Sequence, residues 1–154
     1  MRVSDAVGTF AIVFILPEDV NITSGSPRSH RNFLDIYISQ LSQTYLRSLI
    51  EYQKVLKQRN ALLKKIKEKN AEIAQLDAWD EGVIQWALEV MKARSEFIDE
   101  ITPKVKSIST KLSGALDDIA IAYKPKMRIS DFTDRESAVD TLRAGRGRDI
   151  RIGA

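Results

Sequence analysis

The sequence predicts a mainly α chain with short β segments, built on an antiparallel helical hairpin of coiled-coil character. Three observations predict it. Leu49, Leu56 and Leu63 recur seven apart, and Tyr52, Ile66 and Ile73 fall on the neighbouring offset of the same stripe. Charge inverts between adjoining segments. Residues 51–76 carry seven basic and three acidic groups, a net of +4, and residues 77–100 carry two basic and seven acidic, a net of −5. Two helices of opposite sign are predicted to lie against each other. Finally, 154 residues with 44% apolar and 29% charged side chains supply one core of ordinary size.

The elements follow in order. Residues 10–15, β-branched or aromatic at most positions and closed by Leu16-Pro17, read as a buried strand. Residues 17–30 are rich in Pro, Gly, Ser, Asn and Asp and read as loop. A first helix is predicted from Pro27 to about Gln40, with Ser26 as N-cap and Phe33, Leu34, Tyr37, Ile38 and Leu41 on its apolar face. A second starts after Ser42 and runs to Asn70 or Leu76. It is too long for burial in a chain this size, so it is predicted to project. Asp77-Ala78-Trp79-Asp80-Glu81-Gly82 reads as the turn-back, placing the tip near 76–82, with Asp80 capping the return helix. That helix runs to about residue 113, marked by Val83, Ala87, Val90, Phe97, Ile101, Ile108 and Leu112. Pro103 is predicted to kink or split it and Gly114 to end it. Ile119, Ile121 and Tyr123 alternate with alanines, a strand pattern ending at Pro125. Residues 133–144 read as a short helix, and Arg148–Ile152 as the start of another strand. Three units result: a strand and loop over 1–26, a helical arm over 27–116, and a return strand, helix and further strand over 117–154. Unpaired strands at both ends predict a piece of a larger sheet.

Much chemistry is excluded. There is no cysteine, hence no disulfide, thiolate metal site or cysteine nucleophile, and one histidine, His30, makes no histidine-based metal centre. No phosphate-binding glycine loop, zinc-protease motif, calcium loop or nucleophile elbow is present. The longest apolar run, Phe10–Leu16, is far short of the roughly 20 residues that span a bilayer. Neither a membrane span nor a signal peptide is read, and the expected compartment is the cytoplasm. His30 reads as a polar loop or helix-start residue in contact with solvent or phosphate. Trp79 and Trp86, seven apart, read as packing at the helix tip, with partner binding as the alternative. Lys54, Lys57, Arg59, Lys64, Lys65, Lys67 and Lys69 read as a solvated helix face or as contacts to a nucleic-acid backbone. Arg59 and Arg94 fall on apolar stripes. If buried, each needs a carboxylate or carbonyl partner.

Several segments together resemble the RecF family, bacterial DNA replication and repair ATPases with an SMC-like, ABC-type head. Pro17, Glu18 and Asp19, then Gly25 and Pro27, then Arg31, Phe33, Leu34 and Asp35 follow that family's P-[DE] … G-x-P-x-x-R-R-x-F-[LIVM]-[DN] pattern. Thr23 and His30 depart from it, standing where an aliphatic residue and the first of two arginines are usual. Leu56-Lys57-Gln58-Arg59-Asn60-Ala61-Leu62-Leu63, Trp79-Asp80, Arg94-Ser95-Glu96-Phe97 and Arg148-Asp149-Ile150 match further family stretches in the same order.

The resemblance implies the middle of such a protein: a helical arm projecting from fragments of the ATPase head. The family's Walker A, signature and Walker B motifs are not among these residues, so no catalytic residue, metal ligand or cofactor is assigned to them. For the complete protein it implies ATP with Mg, a nucleotide-dependent homodimer, weak DNA-dependent ATPase activity and engagement of gapped DNA. It also implies help in loading recombinase, with recombination-mediator partners. Arg28, Arg31, Lys54, Lys57, Lys64 and Lys65 are the DNA-contact candidates. Arg59, Asn60, Trp79, Asp80 and Arg94 are assigned to the arm's own structure. The rival reading is a free-standing coiled-coil scaffold that binds a partner's helices and no nucleic acid.

Overall fold

A computed structural model describes residue 7 and residues 24–113, 119–125 and 132–153. The expected strand over 10–15, and Pro17, Glu18, Asp19 and Gly114, lie outside the described residues. Helix α1 spans Pro27–Leu41. Proline occupies its first position, where a missing N–H costs nothing, and the Ser26 hydroxyl accepts the Ser29 N–H at 3.2 Å. Leu34 and Ile38 are buried, whereas Leu41, at the helix end, is 70% exposed. A single residue joins α1 to the next helix. The Ser42 N–H donates to the Ile38 carbonyl at 2.8 Å, and its hydroxyl accepts the Tyr45 N–H at 3.1 Å.

Helix α2 spans Gln43–Lys67 and α3 spans Leu76–Ser113. They pack along each other as an antiparallel pair. The reversal occupies residues 68–75, including a 3-10 turn at Ile73–Gln75, and so precedes the Asp/Trp/Asp/Glu/Gly stretch. At the end of α2 the Lys69 N–H donates to the Ile66 carbonyl and the Asn70 N–H to the Lys65 carbonyl. Lys69 adopts the left-handed conformation (φ 62°) that closes a helix, usually a glycine's role.

Asp80 does not cap α3. It lies inside the helix, fully buried. Gly82 is helical as well, and its bare backbone lets the two helices approach: a Cβ there would lie 3.1 Å from Val55 Cγ1. Gly82→Ala should therefore shift the unfolding free energy by less than about 1 kcal/mol, propensity gained against contact strained. Gly82→Leu should cost about 1–3 kcal/mol by overpacking. Urea midpoints of the two variants check this, and equal midpoints would mean that the approach of Val55 is not limiting.

Pro103 neither splits nor ends α3, which continues to Ser113. A proline removes one backbone bond, and here the Thr102 hydroxyl adds another within the same turn, to the Ile98 carbonyl at 2.6 Å. Ile108 and Leu112, which the apolar pattern places on the packed face, are 57% and 83% exposed. Residues 119–125 form neither helix nor strand ladder. Their alternation serves packing instead, with Ile121 and Tyr123 against the core and Ala120 and Ala122 exposed.

Helix α4 spans Arg135–Ala144, capped by Asp134, whose carboxylate accepts the Ser137 N–H at 3.0 Å. Helix α5 spans Arg146–Ile152, in place of the strand expected over Arg148–Ile152. The helix forms because Arg146, Asp149 and Ile150, spaced for one helical face, all dock on the hairpin, and Gly153 (φ 81°) ends it. The hairpin is thus not bare at its turn end: α4 and α5 fold back along it.

The core runs along the α2–α3 seam in three clusters. Leu34, Ile38, Tyr45, Leu49, Val90 and Ile98 bring in α1. Ile84, Leu88 and Met91 receive Ala138 and Val139 of α4. Leu63, Ile66 and Leu76 seal the turn end with Ile150 of α5.

Candidate nucleic-acid interface

Two arginines occupy the hairpin seam, and each ties a flanking element to it. Arg59 is 3% exposed. Its Nε donates to Asp80 Oδ1 at 2.5 Å and its Nη1 to Asp149 Oδ2 at 3.0 Å, so α2, α3 and α5 meet at one guanidinium. Arg146 shares Asp80, donating from Nε to Oδ2 at 2.6 Å, and reaches Asp77 Oδ1 from Nη2 at 2.7 Å. That bond from Arg146 holds the Asp77 carboxyl below its ordinary value. Burial disfavours the charge on Arg146, but its bonds to Asp77 and Asp80 raise it above the usual range. Of the Arg59 nitrogens, Nη2 is buried without a hydrogen bond among the described residues.

The second centre joins α1, α2 and α3. Arg94 Nη2 donates to Asp35 Oδ1 at 2.6 Å and Nε donates to the Tyr45 hydroxyl at 3.0 Å. The Tyr45 hydroxyl in turn donates to Asp35. Burial, then the bond to Asp35, pushes the Tyr45 phenol well above its ordinary value. Burial likewise raises Tyr52, nearby in the same cluster. These charges are internal fastenings. Isolated, each would be costly in a dry seam; paired and hydrogen-bonded, they fix which elements meet.

The exposed cations are arranged differently. Lys54, Lys57, Lys64 and Lys65 share the outward face of α2, all exposed, over roughly 16 Å of helix length. Lys54 pairs with Glu51 at 3.3 Å, whereas Lys57, Lys64 and Lys65 form no ion pair among the described residues. Arg28 and Arg31 are exposed on the first turns of α1. That helix packs beside Tyr45, Leu49 and Ile98, at the opposite end of α2 from Lys64 and Lys65, so the six candidates do not form one patch.

Within the Gly25-to-Asp35 motif, Gly25 and Pro27 lead into α1, Phe33 packs against Tyr37 with the rings tilted by 51° and their centroids 4.5 Å apart, Leu34 enters the core and Asp35 holds Arg94. Asn60 is half-buried beside Arg59, and Trp79, on the first turn of α3, is 36% exposed. His30 is exposed. Sequence marks none of Tyr45, Asp77, Arg146 and Asp149 as a partner in these centres, although Asp77 falls in the expected turn-back and Asp149 in a family-like stretch. The signal for Arg146 and Asp149 was their three-residue spacing, masked by the strand-like alternation around them. Among the described residues no group of three or more His, Asp or Glu side chains could hold a metal ion, and no helix is long and apolar enough to cross a membrane.

The chain is similar to proteins named DNA replication and repair protein RecF. It is 36% identical over 146 residues to that of Lachnospira eligens, covering 94% of this chain and 39% of the relative. To that of Shouchella clausii it is 37% identical over 142 residues, covering 92% and 38%. The chain thus spans about two fifths of the length of the curated relatives it matches. Two solved structures share its fold. One, described as the recombination mediator protein RecF with ATPrS in the RecFOR pathway, superposes with a TM-score of 0.89 over 98% of this chain and 41% of its own, at 24% identity. The other, RecF with ATP, gives 0.82 over 96% and 40%, at 26% identity. No protein-family model matches the chain.

Proposed function

We infer, from a chain that is RecF-like and corresponds to the middle part of those proteins, that it is the arm of a DNA-repair protein and works by position rather than by catalysis. The complete protein, on this reading, binds ATP with Mg in a head supplied by other parts of its sequence. It dimerises through that head in the cytoplasm, engages DNA at gaps and helps load recombinase with recombination-mediator proteins. The chain itself supplies a stiff hairpin, fixed to its flanking helices by buried ion pairs, and cations held out to solvent.

The observation that carries the reading is the separation of those two charge classes. Arg59, Arg94 and Arg146 are consumed inside by carboxylates, while Lys57, Lys64 and Lys65 form no ion pair among the described residues and line one helix face. Unpaired cations in a row suit a polyanion bound without sequence reading.

Titrating the 154-residue chain with gapped DNA at several salt concentrations tests this. Binding that weakens steeply as salt rises is expected, together with no magnesium-dependent ATP hydrolysis. Absence of DNA binding, with capture of a helical protein partner instead, would favour the scaffold reading.

A further inference from the structure

Helices α4 and α5 both lie against the hairpin, but they are fastened to it differently. Helix α4 sinks Ala138 and Val139 into the core, and the Asp134 carboxylate caps its start. Helix α5 has seven residues and buries none of them, and among the described residues no side chain caps its start. Its apolar hold is Ile150, half-buried against Leu63, Ile66 and Leu76, whereas Ile152 is exposed. The remaining grip is polar. Asp149 accepts from Arg59 at 3.0 Å, Arg146 donates to Asp80 and Asp77 at 2.6 and 2.7 Å, and the Ile152 carbonyl accepts from Lys67 at 3.4 Å.

So short a segment does not sustain a helix in water, because nucleation costs more than two turns return. Gly147, inside the helix, lowers its propensity further. Helix α5 is therefore coiled because it is docked, and leaving the hairpin and unwinding are one event. Departure is also self-contained. A single residue, Gly145, joins α5 to α4, so α4 keeps its place. The Arg59–Asp80 pair stays closed, so no lone charge is stranded in the seam. Asp149 and Arg146 pass into water, where their charges are solvated.

We propose that α5 is a strap across the turn end of the hairpin, lifting as one unit while α1 to α4 stay folded. Closed, it covers the floor made by Leu63, Ile66 and Leu76 and denies it to any other helix. Open, it bares that floor. The device follows from how α5 is held and is independent of any nucleic acid.

The chain has no cysteine, so a single introduced thiol reports on one place. Leu63→Cys sets it in the floor, and Val90→Cys sets it in the seam beside Leu34 and Ile38 of α1. The test is the rate at which each thiol of the full 154-residue chain reacts with a disulfide reagent in native buffer. Circular dichroism checks that each variant keeps its helix content, and Ile66→Cys replaces Leu63→Cys should that variant not fold. Leu63→Cys should react at least about tenfold faster than Val90→Cys, as local opening outpaces global unfolding. Adding Asp149→Asn, which removes a charged bond of the strap, should speed Leu63→Cys by about tenfold and leave Val90→Cys unchanged. Adding Gly147→Ala should act the other way. The new Cβ meets nothing within 4 Å, so the gain in helix propensity should slow Leu63→Cys by about 2–5-fold, again with Val90→Cys unchanged. Equal rates at the two sites, or equal effects of the α5 variants on both, would mean that α5 opens only with the whole molecule. A fast Leu63→Cys that neither α5 variant alters would mean that the floor is reached by another route. Either result overturns the strap.

Discussion

Asp80→Ala should lower the unfolding free energy by about 3–5 kcal/mol, the range for removing one partner of a buried ion pair. Asp80 is fully buried, and both of its oxygens are in use, one by Arg59 and the other by Arg146. Truncation leaves two guanidiniums short of a carboxylate, Arg59 at a site closed to water and Arg146 at its partly exposed edge, where Asp77 remains. Arg59 is the worse placed, since its Nη2 already lacks a partner among the described residues. The α5 helix should loosen first, because the Arg59–Asp149 and Arg146–Asp80 contacts are among the bonds that hold it. Urea denaturation measures the total, and amide exchange in α5 measures the local part. A loss below about 1 kcal/mol would mean that the network is effectively solvated, as exposed ion pairs are.

The second large effect is expected at the other centre. Asp35→Ala should cost about 3 kcal/mol, toward the lower end of the buried-pair range, because Asp35 is partly exposed and Arg94 keeps the Tyr45 hydroxyl. Tyr45→Phe should cost about 1–2 kcal/mol, since it removes a donor to Asp35 and an acceptor from Arg94 but no charge. The raised phenols add a pH signature. Tyr45 and Tyr52 resist ionisation in the folded chain, whereas unfolded tyrosines lose their protons near pH ~10. Their contribution is intact below that pH and is lost as pH rises above it, so the urea midpoint should fall on the alkaline side. In Tyr45→Phe that fall should be shallower. An equal fall in wild type and variant would remove Tyr45 from the account.

The helical hairpin is legible in the sequence because its determinants are periodic and local. The leucine spacing of α2, the Ser26-Pro27 start of α1 and the serine between α1 and α2 each act within a few residues. What is misread depends on distant partners. Asp77 to Gly82 has turn-forming composition, yet it is helical because Asp80 meets Arg59 and Gly82 meets Val55 across the seam. Arg148–Ile152 alternates like a strand, yet coils because Asp149 and Arg146 find charges on α2 and α3. For the candidate site, sequence marks the arginines as misfits on apolar stripes and so implies partners for them. It cannot name Tyr45, Asp77 or Asp149, since a carboxylate or phenol on a helix looks the same whether it faces water or a buried guanidinium. Nor does charge clustering alone separate Arg28 and Arg31 from Lys64 and Lys65. Helix packing sets them at different ends.

The joint at Ser42 has a consequence for how the molecule holds its shape. Because one residue both stops α1 and starts α2, there is no slack to absorb an error in phase. A residue inserted within α1, between Ile38 and Ser42, would rotate the upstream helix by roughly 100° about its axis. Leu34 would swing away from the core and Asp35 from Arg94, in a single movement. The bearing of α1 is therefore set by counting residues as much as by adhesion. Tolerance to insertion should be lowest at this knuckle and higher in the eight-residue bend at the far end of the hairpin.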